Sequence, residues 1–134
     1  MTKLIIAYFA TMIVFFAIDF VWLTTIAQRF YQSQIGPLLL DQFRMGVAVG
    51  FYLVYLGGVV FFAVNPALKA ESLATAAIYG ALFGFFCYAT YDLTNLATLK
   101  GYTVTVAIVD MAWGTILTGA SALLGTWITM KIAG

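Results

Sequence analysis

The sequence of residues 4–26 is LIIAYFATMIVFFAIDFVWLTTI, and this stretch decides the fold class. It is a run of about 23 residues interrupted by a single charge, Asp19, and a helix needs about 20 apolar residues to cross the roughly 30 Å hydrocarbon core of a bilayer. A signal peptide has an apolar core of only about 7–15 residues and a small-residue cleavage site, which this run lacks. The run therefore predicts a retained transmembrane helix.

Three more runs of this kind follow along the chain. They cover residues 47–64, 73–99 and 104–130, with short polar breaks between them. The alternating segments of about 10 residues that mark a transmembrane β-barrel are not present. The sequence therefore predicts an all-α membrane protein, with residues 1–134 forming a single four-transmembrane-helix bundle. Apolar and charged residues interleave in residues 28–44, so we expect a short interfacial segment between helices 1 and 2.

Composition places the chain in the same class and excludes others. Of the 134 residues, 64% are hydrophobic and 8% are charged, whereas an ordinary soluble domain is about 25% charged. The net charge of +1 provides no basic surface for nucleic acid, so we expect no nucleic-acid partner. No histidine is present, which excludes His-ligated haem, a Ser-His-Asp triad and His-based zinc sites. We expect no cofactor and no metal.

The basic residues do not determine the orientation in the membrane. They divide equally between side A, where the N-terminus lies, and the opposite side B: Lys3, Lys69 and Lys131 against Arg29, Arg44 and Lys100. The positive-inside rule compares basic residues near the helix ends, and here the comparison is a tie. The tie is compatible with either topology, or with both in an antiparallel homodimer. Membrane lipid and a second copy of the chain are the partners that we expect.

Small residues at helical spacing predict where the helices touch. Helix 2 has Gly46 and Gly50, and helix 3 has Gly80 and Gly84. Helix 4 has a longer stripe, which consists of Gly114, Thr118, Ser121 and Gly125. Because small side chains allow membrane helices to approach closely, we expect all of these stripes to face the interior of the bundle.

Three aspartates interrupt the apolar runs: Asp19, Asp92 and Asp110. A charge near the bilayer centre costs at least about 2.5–3.5 kcal/mol on insertion scales, so each is a candidate functional residue. At about 1.5 Å per residue, all three lie roughly 9–11 Å below the side B boundary. We expect their carboxyls to converge as catalytic acid/base groups. Desolvation and like-charge repulsion should leave at least one of Asp92 and Asp110 protonated near neutral pH, unless a cation or Lys100 neutralises it.

Aromatic and polar side chains approach the same layer. Trp22 follows Asp19, and Trp113 follows Asp110, at a spacing of three residues, which places each pair on one helix face. The predicted substrate-binding residues share this depth or lie at its rim: Trp22, Tyr52, Tyr88, Tyr91, Asn95, Trp113 and Lys100.

The motifs around the aspartates are similar to those of a known family. They read DFVWL at residues 19–23, YATYDLTNLATLKG at residues 88–101 and VDMAWGT at residues 109–115. Over essentially its whole length the chain resembles a family of small bacterial four-helix membrane proteins catalogued as a domain of unknown function. The resemblance implies a multi-pass protein of the bacterial inner membrane, and it implies no activity.

Three functions remain open on the sequence. The first is an enzyme or binding protein for a lipid-like substrate, with Asp92 and Asp110 in acid/base or cation-binding roles. The second is a small proton-coupled transporter of cationic solutes. The third is an accessory membrane subunit with a purely structural polar cluster, since buried polar groups in membranes often contribute only about 0.6 kcal/mol each.

Overall fold

The computed structural model describes residues 2–39 and 44–133. Within these residues it contains four helices that are long and apolar enough to cross a membrane, and no strand. The helices are α1 (Thr2–Leu38), α2 (Met45–Ala70), α3 (Leu73–Thr98) and α4 (Val104–Ala133). The predicted all-α architecture with four membrane-spanning helices is confirmed.

α1 extends well beyond its predicted end at residue 26. It continues through a π-helical turn (Leu23–Ala27), an α-helical segment (Gln28–Ile35) and a 3-10 turn (Gly36–Leu38). The segment expected to connect helices 1 and 2 is therefore helical over Gln28–Ile35 and continuous with α1, and its residues 40–43 lie outside the described residues. Polar residues after residue 27 do not end a helix; the α-helix ends only where Gly36 and Pro37 interrupt it.

α2 also continues past its predicted end at residue 64. A proline inside a helix lacks an N–H group, and its ring clashes with the carbonyl four residues earlier. Here the chain widens into a π-helical turn at Val60–Val64, in which the Asn65 N–H donates to the Val60 carbonyl. This wider turn lets the helix pass Pro66 and continue to Ala70. The sequence signal Asn-Pro thus marks a local change of helix type rather than a helix end.

Small residues bring α3 and α4 into close contact. Gly80 and Gly84 are buried, and a Cβ added at Gly84 would collide with the Gly114 carbonyl and the Thr118 side chain. A Cβ at Gly114 would collide with the ring of Tyr88. The stripes of α3 and α4 therefore face the interior, as expected.

The glycines of α2 behave differently, and the prediction that they face inward is wrong. Gly46 and Gly50 are exposed, and a Cβ added at either would meet nothing within 4 Å. The neighbouring side chains are exposed as well, Val47 by 70% and Val54 by 76%. Spacing alone cannot tell whether a neighbouring helix is present, and α2 packs on the bundle mainly through its second half. Its first half leaves space between the helices on side B.

The apolar core lies from the middle of the bundle towards side A. Phe15 of α1, Leu56 and Val59 of α2, and Leu117 of α4 are completely buried there. The side B half contains the aspartates instead, so the two halves of the molecule differ in both packing and polarity.

Candidate functional site

A cavity of about 1430 Å³ lies in the side B half of the bundle. All of the helices contribute to its wall, together with the turn between α3 and α4. The acidic residues among its described lining are Asp19 and Asp110. Most of the others are aromatic or apolar; the aromatic ones are Trp22, Tyr31, Phe51, Tyr52, Tyr55, Tyr88, Tyr91, Tyr102 and Trp113. The wall therefore combines a few ionisable groups with a large apolar area.

Asp19 links α1 to α4. Its carboxylate is 6% exposed, and the Trp113 Nε1 group donates a hydrogen bond to Asp19 Oδ1 over 3.3 Å. The Tyr52 hydroxyl also faces this carboxylate. The Trp113 ring stacks on Trp22, with ring centroids 4.4 Å apart and planes inclined by 13°. The two Asp-x-x-Trp motifs thus contact each other directly across two helices.

Asp110 links α4 to the extended end of α1. The Tyr31 hydroxyl donates to Asp110 Oδ1 over 2.5 Å. Close by, the Thr103 hydroxyl donates to Gln34 Oε1 over 3.0 Å. The extension of α1 therefore forms part of the cavity wall and is held to the start of α4 by two side-chain hydrogen bonds.

Asp92 lies behind Asp110 and does not line the cavity. It is fully buried, its Oδ1 accepts a hydrogen bond from the Tyr102 hydroxyl over 2.6 Å, and its carboxyl faces that of Asp110. Among the described residues no donor reaches Asp92 Oδ2. Two carboxyls that face each other are stable when they share a proton, because two adjacent negative charges would repel.

Tyr102 lies in the turn between α3 and α4. Burial and its hydrogen bond to Asp92 raise the pKa of this hydroxyl above the ordinary value of about 10. Tyr102 therefore remains protonated at physiological pH and stays a donor to Asp92.

The structure brings together most of the predicted site residues. Asp19 and Asp110 line the cavity with Asp92 directly behind, and the predicted residues Trp22, Tyr52, Tyr88, Tyr91 and Trp113 line it too. Two of the predicted residues do not reach it. Asn95 is half-buried beside Tyr102, and Lys100 is exposed in the turn after α3 and is not among the residues that line the cavity.

Tyr31 and Tyr102 hold aspartates, and the sequence pattern did not single them out. On the sequence both fall in predicted connections, where no helical period shows which way a side chain points. The signal available was their place in the chain: each lies on side B, close in sequence to the end of an aspartate-bearing helix.

The described residues contain no group of three or more His, Cys, Asp or Glu side chains that could hold a metal ion. Hydroxyl and indole donors hold the carboxylates instead. This arrangement suits proton transfer and the binding of an organic cation, since carboxylates that are already hydrogen-bonded can still accept further donors.

A family model described as "Predicted membrane protein (DUF2177)" matches residues 4–127. The chain belongs to this family. The matched residues include the whole cavity wall and all three aspartates of the layer, so the site of this DUF2177 protein lies inside the family region. The family resemblance expected from the motifs is confirmed, and the family has no known function. Comparison with curated proteins and with solved structures finds no match.

Proposed function

We propose that this DUF2177 protein is an integral protein of the bacterial inner membrane that binds a lipid-like amphiphile in the side B cavity. The observation that carries the proposal is the composition of the wall, where Asp19 and Asp110 lie beside apolar residues such as Leu23, Leu39 and Met45. Pockets for small ligands usually measure about 300–1,000 Å³. A cavity of about 1430 Å³ has room for a headgroup and part of an acyl chain.

The exposed half of α2 supports entry from the bilayer. Met45 and Phe51 line the cavity, yet they are 62% and 57% exposed. Side chains that face both the cavity and the surrounding lipid mark a lateral opening. An alkyl chain can lie along this opening while the polar head reaches the aspartates. The chain then stays in apolar surroundings, and the head contacts polar groups.

The Asp92–Asp110 pair supplies the chemistry. Asp110 faces the cavity, and Asp92 is buried behind it, so a proton shared by the two can pass to or from a bound molecule at Asp110. The same pair favours a second candidate function, proton-coupled transport of a cationic solute. A bound cation and the shared proton would compete for Asp110. Such competition is required if the protein exchanges a cationic solute for a proton.

Native mass spectrometry tests the amphiphile proposal. Cys87 of α3 lines the cavity, whereas Leu93 of the same helix is 51% exposed. Protein purified from host membranes in a mild detergent should retain a lipid-sized adduct. Cys87→Phe should lose this adduct because the added ring occupies the cavity, and the control Leu93→Phe should keep it. An adduct that survives both substitutions, or a wild-type protein without any, contradicts the proposal and favours an accessory subunit with a structural polar cluster.

A further inference from the structure

We infer that the headgroup bound in the cavity is cationic, an alkylammonium group located between the carboxylates of Asp19 and Asp110 and the stacked indoles of Trp22 and Trp113. The inference rests on the proposed function, because it names the ligand class of the same cavity.

Charge is distributed unevenly around the cavity. Among its described lining residues the acidic ones are Asp19 and Asp110, and the basic one is Arg29, which is exposed on the extension of α1. Lys100 is exposed in the turn and does not line the cavity. The hydrogen bonds of the two carboxylates come from an indole and a hydroxyl rather than from a cation. An anionic headgroup would be repelled there, and a cation would be attracted more strongly than in water because the surroundings have a low dielectric constant.

The aromatic lining favours a substituted ammonium over a small hydrated ion. Trp22 and Trp113 line the cavity as a stacked pair, with Tyr88 and Tyr91 on the adjacent helix. The negative face of an aromatic ring attracts a cation, and several such rings around a carboxylate suit a quaternary ammonium. The alkyl substituents of that group gain apolar contacts with the same rings.

The buried Asp92 provides an independent indication. Its Oδ2 is completely buried without a donor among the described residues, and it lies next to Asp110. Two carboxyls that face each other repel when both are charged. A cation bound at Asp110 supplies a positive charge beside both of them.

Fluorescence quenching by brominated amphiphiles tests the inference. The chain has 3 tryptophans, and Trp127 is 46% exposed on α4, near side A. The Trp127→Phe variant, reconstituted in nanodiscs of zwitterionic lipid, reports only on Trp22 and Trp113. The probes are three amphiphiles with the same brominated dodecyl chain and a trimethylammonium, a maltoside or a sulfate head. A variant that retains only Trp127 measures the partition of each probe into the bilayer.

After correction for partition, trimethylammonium should half-quench the Trp22–Trp113 pair at a concentration at least about tenfold lower than sulfate does. Asp19→Asn should weaken quenching by trimethylammonium by about tenfold and leave quenching by maltoside unchanged. Glu71→Gln is the matched control, because it removes one negative charge from the exposed turn between α2 and α3. Asp110→Asn replaces Asp19→Asn if the latter fails to fold.

The possible failures can be told apart. Equal quenching by all three probes, or stronger quenching by sulfate, overturns the cationic headgroup and leaves the amphiphile cavity in place. Unchanged trimethylammonium quenching in a folded Asp19→Asn and a folded Asp110→Asn overturns the role of the carboxylates. If no probe quenches the pair saturably while the Trp127 reference is quenched, the proposed function fails as well.

Discussion

At the scale of single residues, two glycines show how much the surroundings of a position matter. Gly84 is buried where α3 meets α4, and an added Cβ would collide with the backbone of α4. Gly50 lies on the exposed face of α2 with open space around it. Replacing glycine by alanine at these two positions therefore distinguishes the effect of close helix packing on stability from the effect of intrinsic helix propensity.

We expect Gly84→Ala to lower the free energy of unfolding by about 1–3 kcal/mol, since an overpacked contact forces the helices apart. Gly50→Ala should be neutral or stabilising by up to about 1 kcal/mol, because alanine favours a helix more than glycine does. Thermal unfolding in one detergent measures both variants. Similar destabilisation by the two would show that the contact between α3 and α4 is not close.

The shared proton gives a second prediction at this scale. Infrared spectra near neutral pH should contain the band of a protonated carboxyl, and Asp92→Asn should remove that band. The variant should still fold, since Asn keeps the hydrogen-bonding shape of Asp92, but it should lose any proton exchange or acid/base activity. Glu71→Gln, which changes an exposed acid, should keep the band. If the wild-type spectrum lacks the protonated-carboxyl band near neutral pH, only a structural role remains for the aspartate cluster.

At the scale of helices, the extension of α1 is the least expected element. It forms part of the cavity wall and is attached to the rest of the molecule by the Tyr31–Asp110 and Gln34–Thr103 hydrogen bonds. Few buried residues hold it otherwise, with Ala27 and Ile35 as its buried side chains. Its local stability should therefore depend strongly on these two bonds.

Tyr31→Phe should make the backbone amides of residues 28–35 exchange with solvent faster by about tenfold or more, because a hydrogen bond to a charged group contributes about 1.5–3 kcal/mol. Exchange in α3 and α4 should not change. Hydrogen exchange read by mass spectrometry measures this, with Ser33→Ala as the control, since Ser33 bonds only to its own helix at Phe30. An extension that exchanges equally in both variants would mean that Tyr31 does not hold it.

The helices could be predicted from the sequence, but their ends and partners could not. Bilayer thickness imposes a length that any apolar run must meet, and the rise per residue predicted a common depth for the three aspartates. α2 passes Pro66 after a π-helical turn, and α1 stays helical through the polar residues that follow Ala27, so composition did not mark the helix ends. Whether Gly46 faces a neighbour, or where Tyr31 and Tyr102 point, depends on tertiary contacts that no local pattern contains.

At the scale of the whole molecule, the bundle is tightly packed on side A and open on side B. Glycine and threonine contacts join the helices on one side, and the cavity separates them on the other. The described chain crosses the membrane an even number of times, from α1 to α4. Both ends should consequently lie in the same compartment.

Reporter fusions test this topology. A reporter active only in the cytoplasm and one active only outside it, each fused in turn to the N-terminus and to the C-terminus, should give the same compartment for both ends. A third fusion in the turn at Glu71 should agree with the termini, and one at Lys100 should give the opposite compartment. Termini in different compartments would contradict the helix count.

The bond between Trp113 and Asp19 has a consequence for biosynthesis, because 94 positions separate these residues along the chain. At about 5–20 residues per second, a ribosome needs roughly 5–20 s to make the intervening segment. During that time α1 has entered the membrane with an acid whose indole donor does not yet exist. A nascent chain that stalls before α4 therefore leaves the Asp19 carboxylate without its indole donor.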